Sequence, residues 1–180
     1  ESIQDGARSR DASKNERDIE ILKRAIKDEP QEPRYVFYLA QTYFTAKNFP
    51  EALQIYQKRC EMEGALDEKF WSFFAIGQIQ EYLGMPSDVF LKSYEKAYAF
   101  DSARAEPLER MANCYLQQGN SLLAYALARH ARDLPVPFPM SSGFYSWVYA
   151  FALDLIYADA ALDLQKFDEA RDAYLKILST

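Results

Sequence analysis

Gln41, Gln78 and Asn113 recur at matching places along this 180-residue chain. A side-chain amide offers one acceptor oxygen and two donor hydrogens. A row of amides can therefore bond to the backbone of an extended peptide without reading its sequence, or equally to sugar hydroxyls. The plainer reading is that they keep an exposed helix face soluble. Helical phase sets Gln41 beside Arg34, Phe37 and Phe44. It sets Gln78 beside Trp71, Phe74 and Tyr82, and Asn113 beside Glu106, Glu109 and Gln117. These twelve residues are the expected lining of a groove. Trp71 is equally open to a role as a wedge between neighbouring helices.

Residues able to do covalent or metal chemistry are sparse. The one histidine, His130, lies between Arg129 and Arg132 on the polar side of a helical pattern and reads as a solvated surface group. One histidine and two separate cysteines, Cys60 and Cys114, cannot build a zinc site or a cysteine–histidine nucleophile pair. No glycine-rich phosphate loop occurs. No Asp-x-Asp occurs either, so a metal-held sugar nucleotide has no evident seat. Catalytic residues, metal ligands and a cofactor are not expected. The acidic pairs Asp67-Glu68 and Asp168-Glu169 begin helices, where negative charge favours the macrodipole.

The elements that must carry the amides are paired helices. Residues 33–62 show Val36-x-x-Leu39-Ala40-x-x-Tyr43 and then Ala52-x-x-x-Tyr56. Large, medium, small and aromatic residues share one face of the first helix, and a small and an aromatic residue answer from the second. This arrangement resembles the tetratricopeptide repeat (TPR), whose period is about 34 residues. Leu108-x-x-Met111-Ala112-x-x-Tyr115 followed by Ala124, Ala128 and Ala131 repeats it closely. Phe74, Gly77, Tyr82, Phe90, Tyr94 and Ala97 repeat it less regularly. Late in each second helix a ruler runs Ala25, Arg59, Ala97, Ala131 and Ile177, at intervals of 34, 38, 34 and 46. Arg59 departs from the small residue expected there.

Residues 1–15 read as a linker or the end of a preceding domain. Residues 16–180 form the repeat domain, with Asn15 as cap of its first helix. A half-repeat at 16–30 ends at Pro30. Repeats follow at about 33–66, 67–103, 104–136 and 144–178, giving about nine helices. In the first full repeat Lys47-Asn48 is the turn and Pro50 the first residue of the next helix. The fourth repeat has a long first helix, about 144–164, and a second at Phe167 to Leu178. Residues 135–143, with three prolines in five positions, cannot be helical. They read as a strut for the atypical last pair, the alternative being a lid over the groove. Since no repeat can bury its apolar face alone, the expected fold is all-α: hairpins stacked in a right-handed superhelix.

The bulk numbers agree with this frame. The chain is 49% hydrophobic and carries 13 Tyr and 12 Phe, which serve as wedges between helices, but only 6 Gly, few for a sheet rich in tight turns. A net charge of −6 without a basic cluster speaks against nucleic acid. The apolar run at residues 144–158 is too short for a membrane span and is interrupted by Asp154. Two cysteines inside helical patterns read as buried reduced thiols of a cytoplasmic protein.

Several segments resemble the tail of certain family-two glycosyltransferases. They are Arg17-Asp18, RYVFYLAQTY at 34–43, Tyr56-Gln-Lys-Arg59, Arg104-Ala-Glu106-Pro107-Leu108 and Leu123-Ala-Tyr125. The opening DGARSR resembles the junction that follows the catalytic domain in those proteins, and the likeness runs from about residue 5 to 178. Arg59 is shared with that tail. Gly64-Ala65-Leu66 stands where the family often has Gly-Gly-Trp, and the residues after Tyr145-x-Trp147 are more apolar than usual, so the final repeat is expected to pack differently or touch another chain. The resemblance implies a non-catalytic module that holds an acceptor glycan, peptide or protein partner for an upstream glycosyltransferase domain. Two other expectations stand beside it: a direct share in the transferase's acceptor or sugar site, and an oligomerisation module working through the last helix pair. If Ala112 lies at a helix crossing, Ala112→Leu overpacks it and lowers stability by about 1–3 kcal/mol, read by thermal and urea melts.

Overall fold

The computed structural model describes residues 3–137 and 145–179, with side chains from residue 14 onward. Every regular element among them is helical: α1 (Ile3–Asp28), α2 (Pro33–Thr45), α3 (Phe49–Glu61), α4 (Leu66–Tyr82), α5 (Ser87–Phe100), α6 (Glu106–Gln117), α7 (Ser121–Arg132), α8 (Leu153–Asp163) and α9 (Phe167–Leu178). A π-helical turn, Val148–Ala152, leads into α8. The expected all-α class and helix number hold among the described residues. The last helix has the bounds its sequence pattern predicts.

Contacts divide the chain into two compact units, Glu1–Phe90 and Leu91–Thr180. In the first, α1 packs on α2, α2 on α3, and α4 on both α3 and α2. In the second, α6 pairs with α7, and α8 packs on α7, α9 and α6.

The start of the chain differs from expectation. The backbone is already helical at Ile3, so Asn15 lies within α1 rather than capping it. Alanine, arginine and lysine in this stretch are good helix formers, and one glycine costs only about 1 kcal/mol against them. Pro50 falls in the first turn of α3, one residue past the expected first position, where a missing N–H still costs nothing. Of the proline-rich insertion, residues 135–137 have no regular structure, and residues 138–143 lie outside the described residues, as does the expected strut or lid.

All four hairpin turns use one backbone device. Lys47 (φ 59°), Gly84 (67°), Gly119 (75°) and Gln165 (60°) each adopt the left-handed conformation directly after the first helix of a hairpin. The next residue's N–H reaches back five residues: Asn48 to the Tyr43 carbonyl, Met85 to Gln80, Asn120 to Tyr115 and Lys166 to Ala161. The left-handed residue's own N–H bonds three residues back, to Phe44, Glu81, Leu116 and Leu162. This paired pattern closes carbonyls that a helix end would otherwise leave open.

Those bonds align the hairpins residue by residue. Ala40, Gly77, Ala112 and Ala158 fall at one position, and all four are buried. A small side chain there lets the paired helices approach. Val36, Phe73, Leu108 and Asp154 share another position, and Gln41, Gln78, Asn113 and Asp159 a third.

Only Gly84 and Gly119 suit the left-handed backbone without cost. An L-residue there loses about 1–2 kcal/mol. Lys47→Gly and Gln165→Gly should therefore each stabilise by about 1 kcal/mol after the added freedom of the unfolded chain is subtracted. Gly119→Ala should destabilise by a similar amount, with no clash, since nothing stands within 4 Å of the added carbon. Melting temperatures of the three variants check both signs.

Candidate functional site

The common register supports the equivalence of Gln41, Gln78 and Asn113, all half-buried. It also corrects the expected groove. Phe37, Trp71, Phe74, Glu106 and Glu109 are buried, between 0% and 7% exposed, so they line no solvent-facing wall. Phe37 packs edge-on against the Tyr56 ring at 6.2 Å, and Phe74 lies parallel to Phe70 at 6.2 Å. Helical phase places these residues on the right side of their own helix but does not reveal what packs over them. Arg34 and Gln117 are exposed, and Arg34 pairs with Glu68 at 3.6 Å. Tyr82 and Gln117 sit one residue beyond the counterparts of Phe44, which are Glu81 and Leu116.

Two of the expected lining residues do come together, joined by three others. In the first unit Phe44, Thr45, Lys47, Phe49 and Tyr82 line an open cavity of about 600 Å³. Phe49 and Tyr82 stack at 5.3 Å with 20° between their planes. Phe44 meets Phe49 nearly edge-on at 5.8 Å and Tyr82 at 6.1 Å. The turn after α2 builds this cleft. It ends α2 at Phe44 and Thr45, lifts Lys47 through its left-handed backbone, and starts α3 at Phe49. Tyr82, from the last turn of α4, remains 59% exposed. Thr45 donates its hydroxyl to the Gln41 carbonyl at 2.9 Å, so its hydrogen is spent within the helix. The cleft thus offers three aromatic surfaces and one cation. It suits a planar or apolar side chain carried on a chain with an acidic group nearby. Sequence reasoning missed Phe49; its signal is a large aromatic placed where a helix start more commonly has a polar residue.

The segments behind the glycosyltransferase resemblance have local structural work. Arg59 is fully buried. Its guanidinium donates to the Met62 carbonyl (3.3 Å), the Ala65 carbonyl (3.1 Å) and the Glu68 carboxylate (3.2 Å). It thereby ties the end of α3 to the start of α4, which is why an arginine occupies a small-residue position. Gly64 makes room for this loop: a Cβ there would stand 2.7 Å from Pro33 Cγ. Arg104 grips Glu106 at 2.8 and 3.2 Å. The Tyr149 hydroxyl donates to Glu106 and accepts the Ala105 N–H, closing the start of α6. Burial raises that phenol well above its ordinary value.

His130 is exposed, as expected, though its Nε2 lies 2.8 Å from the Tyr98 hydroxyl. Cys60 and Cys114 are half-buried thiols rather than the fully buried ones expected, and Gln118 donates to the Cys114 sulfur at 3.3 Å. Among the described residues no group of His, Cys, Asp or Glu could hold a metal ion, and no helix is long and apolar enough to cross a membrane.

A cluster of titratable groups lies in the second unit. Glu169 accepts from the hydroxyls of Tyr125 (2.5 Å) and Tyr157, and from Lys166 (2.9 Å). The two phenol rings stack at 5.0 Å, and Arg132 sits over Tyr157 at 4.1 Å. The Tyr125 bond, followed by those from Tyr157 and Lys166, holds the Glu169 carboxyl down at about 2. Burial, then the bond to Glu169, pushes the Tyr157 hydroxyl above its usual value. A carboxylate that stays ionised facing a phenol that stays protonated is poor acid–base machinery at neutral pH. The cluster fastens α7, α8 and α9 together.

Comparisons with known proteins agree with the fold. No protein-family model and no curated relative matches the sequence. Among solved structures, the chain is similar to MamA at a TM-score of 0.70 and 14% identity, over 99% of this chain and 94% of that one. It is similar to MamA from Desulfovibrio magneticus RS-1 at 0.67 and 13%, over 92% and 84%. A third likeness is to the C-terminal part of a TPR repeat-containing protein from Cytophaga hutchinsonii, at 0.67 and 16% identity, over 89% of this chain and 57% of that one. The chain therefore has a TPR-like helical-repeat fold.

The Glu169 cluster sets a pH dependence. Its carboxyl lies below the unfolded value of about 4.3, so the stability it contributes is present above that value and is lost as pH falls through about 2. Between pH 5 and pH 2, thermal melts should show a steeper loss for the native chain than for Glu169→Gln.

Proposed function

We propose that this chain is a non-catalytic interaction module that holds an extended segment of a partner protein, with the aromatic cleft of the first unit as its anchor point. The observation that carries this reading is the juxtaposition of Phe44, Phe49 and Tyr82 around an open cavity beside Lys47. Aromatic side chains on a solvent-open wall supply large contact area at low entropic cost, which is how anchoring sites concentrate binding energy. Gln41 and Gln78, half-buried in the same unit, would bond the backbone of the held segment. The TPR-like fold supports the same class of function by analogy. A partner segment with an aromatic or apolar residue next to an acidic one fits the cleft.

The resemblance of residues 34–43 and 104–108 to a glycosyltransferase tail supports a narrower version, in which the module serves a glycosyltransferase and its held segment belongs to the acceptor. That version rests on sequence motifs, and two of these, around Arg59 and Arg104, also have the structural roles described above.

Selection of a random peptide display library on the purified chain tests the reading. Enriched peptides should carry an aromatic or apolar anchor beside Asp or Glu. In fluorescence polarisation, Phe49→Ala with Tyr82→Ala should weaken them about tenfold or more, since each 1.4 kcal/mol is a factor of ten. Circular dichroism should be unchanged. Binding that survives the double substitution, or enrichment of an oligosaccharide array in place of peptides, sinks the cleft as a peptide anchor.

A further inference from the structure

The turn after α2 carries a lysine where the backbone favours glycine. Lys47 stands at φ 59°, and two of its three counterparts are Gly84 and Gly119. A side chain in this region is under strain that glycine avoids. Strained residues that persist gather at sites where they act on a ligand. Lys47 also lines the aromatic cleft, three residues after Phe44 and two before Phe49. Gln165 keeps the same backbone in the second unit but carries no charge, so it serves as the comparison residue.

Among the residues that line the cleft, Lys47 alone is charged. Several other cations of the first unit have partners. Arg34 and Arg59 reach Glu68, and Lys69 lies 3.8 Å from Glu63. The Tyr43 hydroxyl, ahead of Glu20 and Glu51, holds Lys23 above its ordinary value. Among the described residues Lys47 is in no ion pair. Two carboxylates lie near it in sequence or across the cleft, and neither takes it up. Glu51, two residues past Phe49, acts on Lys23 of α1, and Glu81, before Tyr82, is half-buried with an interaction of its own. The net charge of −6 opposes an acidic partner at long range, but exposed charges more than about 10 Å apart are largely screened at 0.1 M salt. Inside the cleft the local ammonium decides.

An exposed ammonium beside three rings matches a carboxylate carried close to an aromatic or apolar anchor. Resting on the reading of the cleft as an anchor point, we infer that Lys47 is its specificity-determining residue, selecting segments in which Asp or Glu stands one or two positions from the anchor. The spacing follows from reach. Residues of an extended chain advance about 3.5 Å each, so an acid five positions away is about 17 Å off, too far for a side chain rooted between Phe44 and Phe49. The ion pair is open to water, so it contributes selectivity more than affinity. Glycine at this position would make a more stable turn, and a cleft that no longer tells an acid from an amide.

NMR titration of the full chain, which reads binding into the millimolar range, tests this with synthetic peptides capped at both ends. Each has a central Phe in a Ser/Gly background, flanked on both sides by Glu, by Gln or by Lys; one more carries its Glu residues five positions away. The Glu-flanked peptide should bind about two- to fivefold more tightly than the Gln-flanked one, the range of an exposed ion pair, and added salt should close the gap. Lys47→Glu should turn the preference toward the Lys-flanked peptide. With Lys47→Gly the Glu- and Gln-flanked peptides should bind alike, although this variant melts higher. Gln165→Gly should also melt higher and keep the preference. Equal binding of Glu- and Gln-flanked peptides to the native chain, a preference that survives Lys47→Gly, or an equal gain from the distant Glu residues overturns the inference. Phe-dependent binding that is lost with Phe49→Ala and Tyr82→Ala then leaves the cleft standing as an anchor without a charge reader. No binding by any of the peptides overturns both.

Discussion

Each hairpin turns on a single residue held in the left-handed region, and the rest of the structure depends on that constraint. The turn determines which carbonyl the next N–H must reach, and so how far the second helix slides along the first. Once that slide is set, Ala40, Ala112 and Ala158 are buried at one shared position of α2, α6 and α8, each packed on the second helix of its hairpin, where a small side chain lets the helices close. A residue more or less in the turn would rotate the packing face by about 100°, since each residue advances a helix by that angle. The turns at Lys47 and Gln165 keep the same geometry without glycine, so packing over-determines the backbone there.

Buried charge gathers where the chain passes from one hairpin to the next. Arg59 bridges the end of α3 to the first turn of α4, and the Arg104–Glu106 pair sits at the start of α6 beneath Tyr149. Such groups are costly to desolvate, and their value lies in geometry rather than in net stability. Each has several partners at set distances, which specifies how a connection leaves one helix and enters the next. The loops themselves have few apolar residues to do this by packing.

Much of the helical frame was legible because its signals are local. Period, proline positions and the small residues along the hairpins mark where helices begin, end and touch. The surface was less legible, for physical reasons that differ case by case. Helical phase alone sets Phe37 and Phe74 in the groove lining, and phase does not report a neighbouring helix. Glu106 and Glu109 are charged, a pattern that ordinarily signals exposure. Glu106 is satisfied in the interior by Arg104 and by Tyr149, which lies far along the chain. The π turn before α8 carries no compositional mark. The aromatic cleft was half-visible: Phe44 and Tyr82 stand among the expected lining residues, and Phe49 does not.

Asp154 adds a consequence of another kind. It occupies the position that Val36 and Leu108 hold in other hairpins, and it is tolerated only because Arg132 from the preceding helix and Lys176 from the following one both reach it. A hairpin with this residue cannot be moved elsewhere in the array without stranding a carboxylate in an apolar seam. The hairpins share a blueprint but are not interchangeable parts. One buried carboxylate ties α7, α8 and α9 into a block, and that would shape how the order of hairpins can change: by moves that carry the three helices together.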